Sequence, residues 1–271
     1  EEGLPAGTAG ERERDLDWGV LVPLHFIQAA YDGLRAAGQE PSPYRVVRMG
    51  ISGLSPLQHY RMGQLVARAS GRLGRRVAYV ASGDLSHKLT ADGPYGFSPD
   101  GPVFDELVCK ALGNGDFLSL MTADPGLCER AAECGLRSFQ IMAGALDRTP
   151  VAAELLSYEG PFGVGYGVAC LLPSGPEGSD PDRAFGKAYE AWHAADMERR
   201  RAGEDAYVAL ARASLEHRVG TGRSLPVPDG LPPELLSRRA GAFVSLTKSG
   251  RLRGCIGTIA PTRASLAEEI V

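Results

Sequence analysis

A formal charge of −4 over 271 residues leaves no electrostatic case for a nucleic-acid partner. No apolar run approaches the roughly 18 residues a membrane span needs, the opening residues do not read as a basic-then-apolar leader, and five scattered cysteines argue against a disulfide framework and for a reducing cytoplasm. The 44 % hydrophobic and 23 % charged content is that of a globular chain, and the length suits two domains of about 100–200 residues each.

The opening, Glu1-Glu2-Gly3-Leu4-Pro5-Ala6-Gly7, lacks an initiator methionine and is rich in turn formers. Together with a terminal Leu266-Ala267-Glu268-Glu269-Ile270-Val271 that reads as a helix cut short, it suggests a piece of a longer protein. Helical spacing covers 24–37, with Gly38 as the stop. A dense apolar set predicts a strand over 44–51, and 56–73 reads as a helix. The short β-branched run at 76–80 predicts a buried strand. Helical segments follow at 102–112, 116–122, 125–132 and 138–146, and 163–172 alternates as a strand. Strands alternating with helices imply a layered α/β domain, a sheet with flanking helices, over 1–172.

Residues 173–181, Pro-Ser-Gly-Pro-Glu-Gly-Ser-Asp-Pro, have nothing apolar to bury and read as a linker. Beyond it, 182–271 predicts helices over 184–201 and about 206–217. Strands at 241–246 and 252–258 join through a tight Ser249-Gly250 turn. This second module is α+β. Its Cys255, beside Arg253, is either a thiol with a lowered pKa or a small packed side chain.

The polar residues that could carry chemistry crowd into Ala81-Ser82-Gly83-Asp84-Leu85-Ser86-His87 and the nearby Asp92-Gly93-Pro94-Tyr95-Gly96. They leave the carboxyl end of the strand at 76–80, where open α/β sheets place ligands. An imidazole titrates close to neutrality and can move protons there, and a carboxylate three residues away can orient it. The same residues also suit an ordinary capped turn.

This segment resembles the active-site segment of class III extradiol dioxygenases and their Memo-like relatives. Three further stretches match in the same order: Leu16-Asp17-Trp18-Gly19-Val20-Leu21-Val22-Pro23-Leu24, Ala132-Glu133-Cys134-Gly135-Leu136-Arg137-Ser138, and Gly160-Pro161-Phe162-Gly163-Val164-Gly165-Tyr166. Together they span roughly residues 14 to 172. The resemblance implies non-haem Fe(II) held by two histidines and one carboxylate, cleaving a catecholic or related aromatic diol with O2. It makes His87 the proton-transfer residue with Asp84 beside it, and places Trp18, Tyr95 and Tyr166 at the substrate.

For the third metal ligand the dioxygenases use a glutamate and Memo-like proteins a cysteine. Glu133 and Cys134 stand side by side here, and Glu133 is favoured. The two histidine ligands belong to a part of the family pattern upstream of this chain. His25, His59, His193 and His217 do not match their positions. Trp18 also replaces the histidine of the family's Leu-Asp-His-Gly pattern, which weakens the case for ordinary catechol cleavage.

A second resemblance lies in Leu252-Arg253-Gly254-Cys255-Ile256-Gly257-Thr258, the signature of the AMMECR family, of which only the first half is present. The pairing implies three alternatives: an Fe(II) dioxygenase acting on an aromatic diol, a non-catalytic Memo-like binding or scaffold module, or an accessory to a radical SAM partner. Self-association is a further expectation; a nucleic-acid or membrane partner is not.

Overall fold

The computed structural model describes residues 15–248 and 251–271. The turn-rich opening at 1–7 and the Ser249-Gly250 turn therefore lie outside the described residues. The chain divides into two compact units with their boundary between Glu190 and Ala191. The architecture is mixed α/β, with ten α-helices and two small two-stranded sheets among the described residues.

In the first unit, α1 (Trp18–Ala36) begins six residues earlier than its apolar spacing predicts, because the Asp17 side chain accepts the Val20 N–H and caps it. Pro23 then sits inside the second turn, where it costs one backbone hydrogen bond. α2 (Pro56–Arg72) starts on a reciprocal Ser55–Gln58 capping box with Pro56 in its first turn, signals legible in the local sequence. α3 (Asp100–Asn114), α4 (Phe117–Thr122), α5 (Pro125–Ala131) and α6 (Leu136–Ala145) follow near their expected positions. Asp116 caps α4 and Asp124 caps α5.

The core gathers Tyr60, Leu85, Phe104, Val108, Phe117, Leu120 and Phe139. Tyr60 keeps its hydroxyl satisfied by donating to Asp147 at 2.5 Å, and Gln64 donates to the same carboxylate at 2.9 Å. A buried tyrosine needs such a partner, since an unpaired polar group costs about 1–3 kcal/mol.

β1 (Val151–Glu159) and β2 (Tyr166–Pro173) form an antiparallel ladder with Glu154 opposite Cys170 and an irregularity between Leu155 and Ser157. β1 was not expected: its Ala, Glu and Leu residues favour helix locally, and pairing with β2 overrides them. The converse correction concerns 44–51 and 76–80, expected as strands. Neither joins a ladder among the described residues, because a strand exists only through a partner's hydrogen bonds. Tyr79 and Ala81 still pack on the core, whereas Val47 is 83 % exposed.

Residues of the expected linker are tied to the first unit: Ser174 N–H donates to the Pro150 carbonyl at 2.8 Å and Asp180 N–H to that of Arg148 at 3.0 Å. A single 3₁₀ turn, Pro181–Arg183, precedes α7 (Phe185–Ala202). The unit boundary thus falls within α7, later than residue 182.

The second unit holds α8 (Ala206–Thr221), capped by Asp205 and closed by left-handed Gly222, then α9 (Pro233–Ser237), β3 (Phe243–Lys248), β4 (Arg251–Gly257) and α10 (Leu266–Ile270). β3 and β4 pair antiparallel with Ser245 opposite Cys255. Its small core is Leu210, Leu235, Leu266 and Ala267. No described helix is long and apolar enough to cross a membrane.

Candidate functional site

The segment 82–89 is anchored on three sides. Leu85 is buried in the core, and its N–H donates to the Gly165 carbonyl at 2.9 Å while Gly165 N–H returns a bond to the Ser86 carbonyl at 2.8 Å. Leu89 N–H bonds the Gly163 carbonyl at 3.0 Å. The glycine-rich stretch before β2 therefore backs the loop. Gly165 is required by space: a Cβ there would stand 2.0 Å from Asp105 Oδ2. On the third side, His87 N–H and the Ser86 hydroxyl both donate to the Ala131 carbonyl, at 3.1 and 2.9 Å.

Between these anchors two side chains of the loop meet. His87 Nε2 lies 3.1 Å from Asp84 Oδ2, with the imidazole 17 % and the carboxylate side chain 44 % exposed. Gly83, at φ +154°, lets the loop meet the turn before α6; a Cβ on it would stand 2.4 Å from the Gly135 Cα. Across that contact Gly135 N–H donates to the Asp84 carbonyl at 2.9 Å, and Asp84 N–H donates to Cys134 Sγ at 3.2 Å. Asp84, His87 and Cys134 so bring one carboxylate oxygen, one imidazole nitrogen and one sulfur within 4.8 Å of one another.

Glu133 occupies a different place. Its Oε2 accepts the Leu136 N–H at 2.8 Å, satisfying an orphan donor in the first turn of α6. Burial pushes the Glu133 carboxyl above the usual range, opposed by that N–H and by Arg137 and His87. Partial loss of hydration likewise pushes the Cys134 thiol up; the Asp84 N–H opposes the rise, and the Asp84 and Glu133 charges add to it.

The other expected residues are dispersed. The Tyr95 ring lies 5.2 Å from the His87 ring, tilted by 31°, and covers one side of the imidazole. Trp18 opens α1 with 80 % of its surface exposed; a Cβ on the adjacent Gly19 would lie 3.6 Å from Ser82 Oγ. Tyr166 begins β2, paired with Glu159 and 40 % exposed. His25 is on α1, and His59 is buried on α2 with Nδ1 3.1 Å from the Ser55 carbonyl. Cys255 is exposed and accepts from the Ser245 hydroxyl at 3.4 Å.

Asp105 is a residue that the motif reading missed. It is 1 % exposed on α3, accepting the Ser86 N–H and the Tyr158 hydroxyl, both at 2.7 Å. Burial pushes its carboxyl up, and those two donors and His87 oppose the rise. The only local signal was an acid among the apolar positions of a core helix, where charge is rare unless partnered.

The donor trio suits a divalent ion of borderline softness. With one imidazole, it does not by itself make the two-histidine, one-carboxylate set of a non-haem iron oxygenase.

The sequence matches the family model described as the catalytic LigB subunit of aromatic ring-opening dioxygenase over residues 1–169, and the AMMECR1 model over residues 208–271. Protein CA_C1420 of Clostridium acetobutylicum is 38 % identical over 257 residues, which cover 94 % of this chain and 52 % of that protein. A Thermotoga maritima protein is 49 % identical over 69 residues, 25 % of this chain and 40 % of its own length. A Methanothermobacter thermautotrophicus protein is 41 % identical over 56 residues, 21 % and 29 % respectively. The chain thus spans about half the length of the first of these relatives and less of the other two. Class III dioxygenases of the LigB type use non-haem iron, and the anchored Asp84–His87 loop falls inside the matched region. The chain belongs to the LigB family of aromatic ring-opening dioxygenase catalytic subunits, followed by an AMMECR1 segment.

Proposed function

We propose that the protein opens the ring of a catecholic or related aromatic diol with O2, with His87 as proton carrier and Cys134 as the metal-facing donor of this chain. The convergence of Asp84, His87 and Cys134 within 4.8 Å carries the reading. Asp84 Oδ2 fixes the imidazole through its 3.1 Å contact, so that Nε2 holds or releases a proton at a set position. Tyr95, over the imidazole, offers a ring face to a flat substrate. Fe(II), when bound, supplies the meeting point of diol and O2. Both oxygen atoms enter the product and the ring carbon–carbon bond beside the hydroxyls breaks.

Cys134 is preferred to Glu133 as ligand because the Glu133 carboxylate is engaged by Leu136 N–H. The test is metal content after anaerobic Fe(II) loading, followed by O2 uptake with catechol and gallate. Cys134→Ser should lose most of the bound iron and Glu133→Ala should keep it. Retention by the first and loss by the second would reverse the assignment, and a loaded protein that consumes no diol would remove the dioxygenase reading.

A Memo-like binding module is the second reading. It is favoured by the thiol in the cluster and by Trp18, which stands where the dioxygenase pattern has histidine and is 80 % exposed.

A further inference from the structure

We infer that Asp105 is the positioning residue of this site: through Ser86 it sets the geometry between the Asp84–His87 loop and Cys134. The inference rests on the site reading above for its chemistry, and on hydrogen bonds alone for its geometry. Every polar atom of Ser86 is engaged, and Ser86 is fully buried. Its N–H goes to Asp105 Oδ1 at 2.7 Å, its carbonyl accepts from Gly165, and its hydroxyl bridges Lys88 N–H and the Ala131 carbonyl, at 3.0 and 2.9 Å.

Asp105 Oδ2 is held in turn by the Tyr158 hydroxyl of β1 at 2.7 Å. One carboxylate therefore ties α3 and β1 to the backbone between Asp84 and His87. The Ser86 hydroxyl passes that tie to the end of α5, three residues before Cys134. The final link is the Asp84 N–H on Cys134 Sγ at 3.2 Å. A side chain at 105 with no acceptor, such as alanine, would leave the Ser86 N–H buried and unpaired, and such a group moves toward any other acceptor. Shifting Ser86 shifts Asp84 N–H off the sulfur.

The sulfur reports this directly, without metal. On the metal-free chain, alkylation of Cys134 by iodoacetamide is followed peptide by peptide, with the exposed Cys255 as internal reference. The Asp84 N–H holds the sulfur in its exposed position, where the reagent reaches it. Losing that bond in Asp105→Ala should slow Cys134 by about two- to tenfold, the worth of one hydrogen bond, and leave Cys255 unchanged. Asp105→Asn keeps an acceptor for Ser86 N–H and should restore the rate.

Ser86→Ala, a milder change that keeps the carboxylate and removes the bridge to Ala131, should slow Cys134 in the same direction. It decides the matter if Asp105→Ala does not fold. An unchanged Cys134 rate in folded Asp105→Ala or in Ser86→Ala would overturn the inference. So would Asp105→Asn as slow as Asp105→Ala. A protein that turns over no diol would remove the dioxygenase reading while leaving this result standing.

Discussion

Two carboxylates, one in each unit, show what separates a scaffold from a site. Glu269, on α10, accepts from the Thr258 hydroxyl, the Thr262 hydroxyl and N–H, and the Arg263 N–H, at 2.6–2.9 Å. These donors hold its carboxyl down at about 2. Its acceptor capacity is used up in joining the segment after β4 to α10. Asp84 instead spends its side chain on one imidazole, 3.1 Å away, and keeps 44 % of it exposed. Its backbone, not its carboxylate, does the structural work, through the Cys134 and Gly135 bonds. A carboxylate with spare capacity beside an imidazole and a thiol has something left to offer a ligand.

The largest expected effect would come from breaking the open cluster. His87→Ala should lower diol turnover by about two to four orders of magnitude, the range for a positioned acid–base group. Iron content, measured in parallel, should stay as it was. Loss of iron with the imidazole would make His87 a ligand and would make the cluster a binding site rather than an acid–base one.

Trp18→His sharpens the same side of the comparison by restoring a polar partner at the start of α1. Diol affinity, read by titration of the iron-loaded protein, should rise about tenfold, the worth of one strong hydrogen bond. No change in binding or cleavage would separate Trp18 from the site.

The smallest effect tests the saturated carboxylate. Glu269 has a folded-state pKa depressed from 4.5 to about 2, so its contribution to stability is present above the unfolded value. It is lost as pH falls through the folded one. Thermal unfolding of the second unit should therefore weaken between pH 4.5 and 2. Glu269→Gln should flatten that dependence while leaving Cys134 alkylation untouched. A pH profile identical in the two proteins would show that the four bonds carry no charge-dependent stability.

What could be read in the sequence is what short-range bonds decide. Ser55 with Gln58 and Asp205 before α8 act within three residues of themselves, so the helix starts they set were legible; α8 runs on to Thr221, past the expected end near 217. The Asp84–His87 pairing spans three residues and was legible for the same reason. Early onset of α1 escaped because the Asp17 cap lies seven residues before the apolar spacing becomes regular.

Other outcomes depended on partners far along the chain. Glu133 and Cys134 are neighbours, and the sequence reading favoured Glu133; Leu136 N–H engages its carboxylate, and the N–H of Asp84, 50 residues away, engages the thiol. Asp105 acquires its meaning from Ser86, 19 residues earlier, and Tyr158, 53 later. β1 became a strand because β2 pairs with it, and 44–51 did not because no described segment does. The sequence by itself determined the positions of most helices, the LigB-type loop and its acid–imidazole pair, since each is a matter of nearby residues. Only the tertiary structure decided which acid or thiol joins that pair and which buried carboxylate holds the loop, because those choices are made by donors and acceptors that folding brings together.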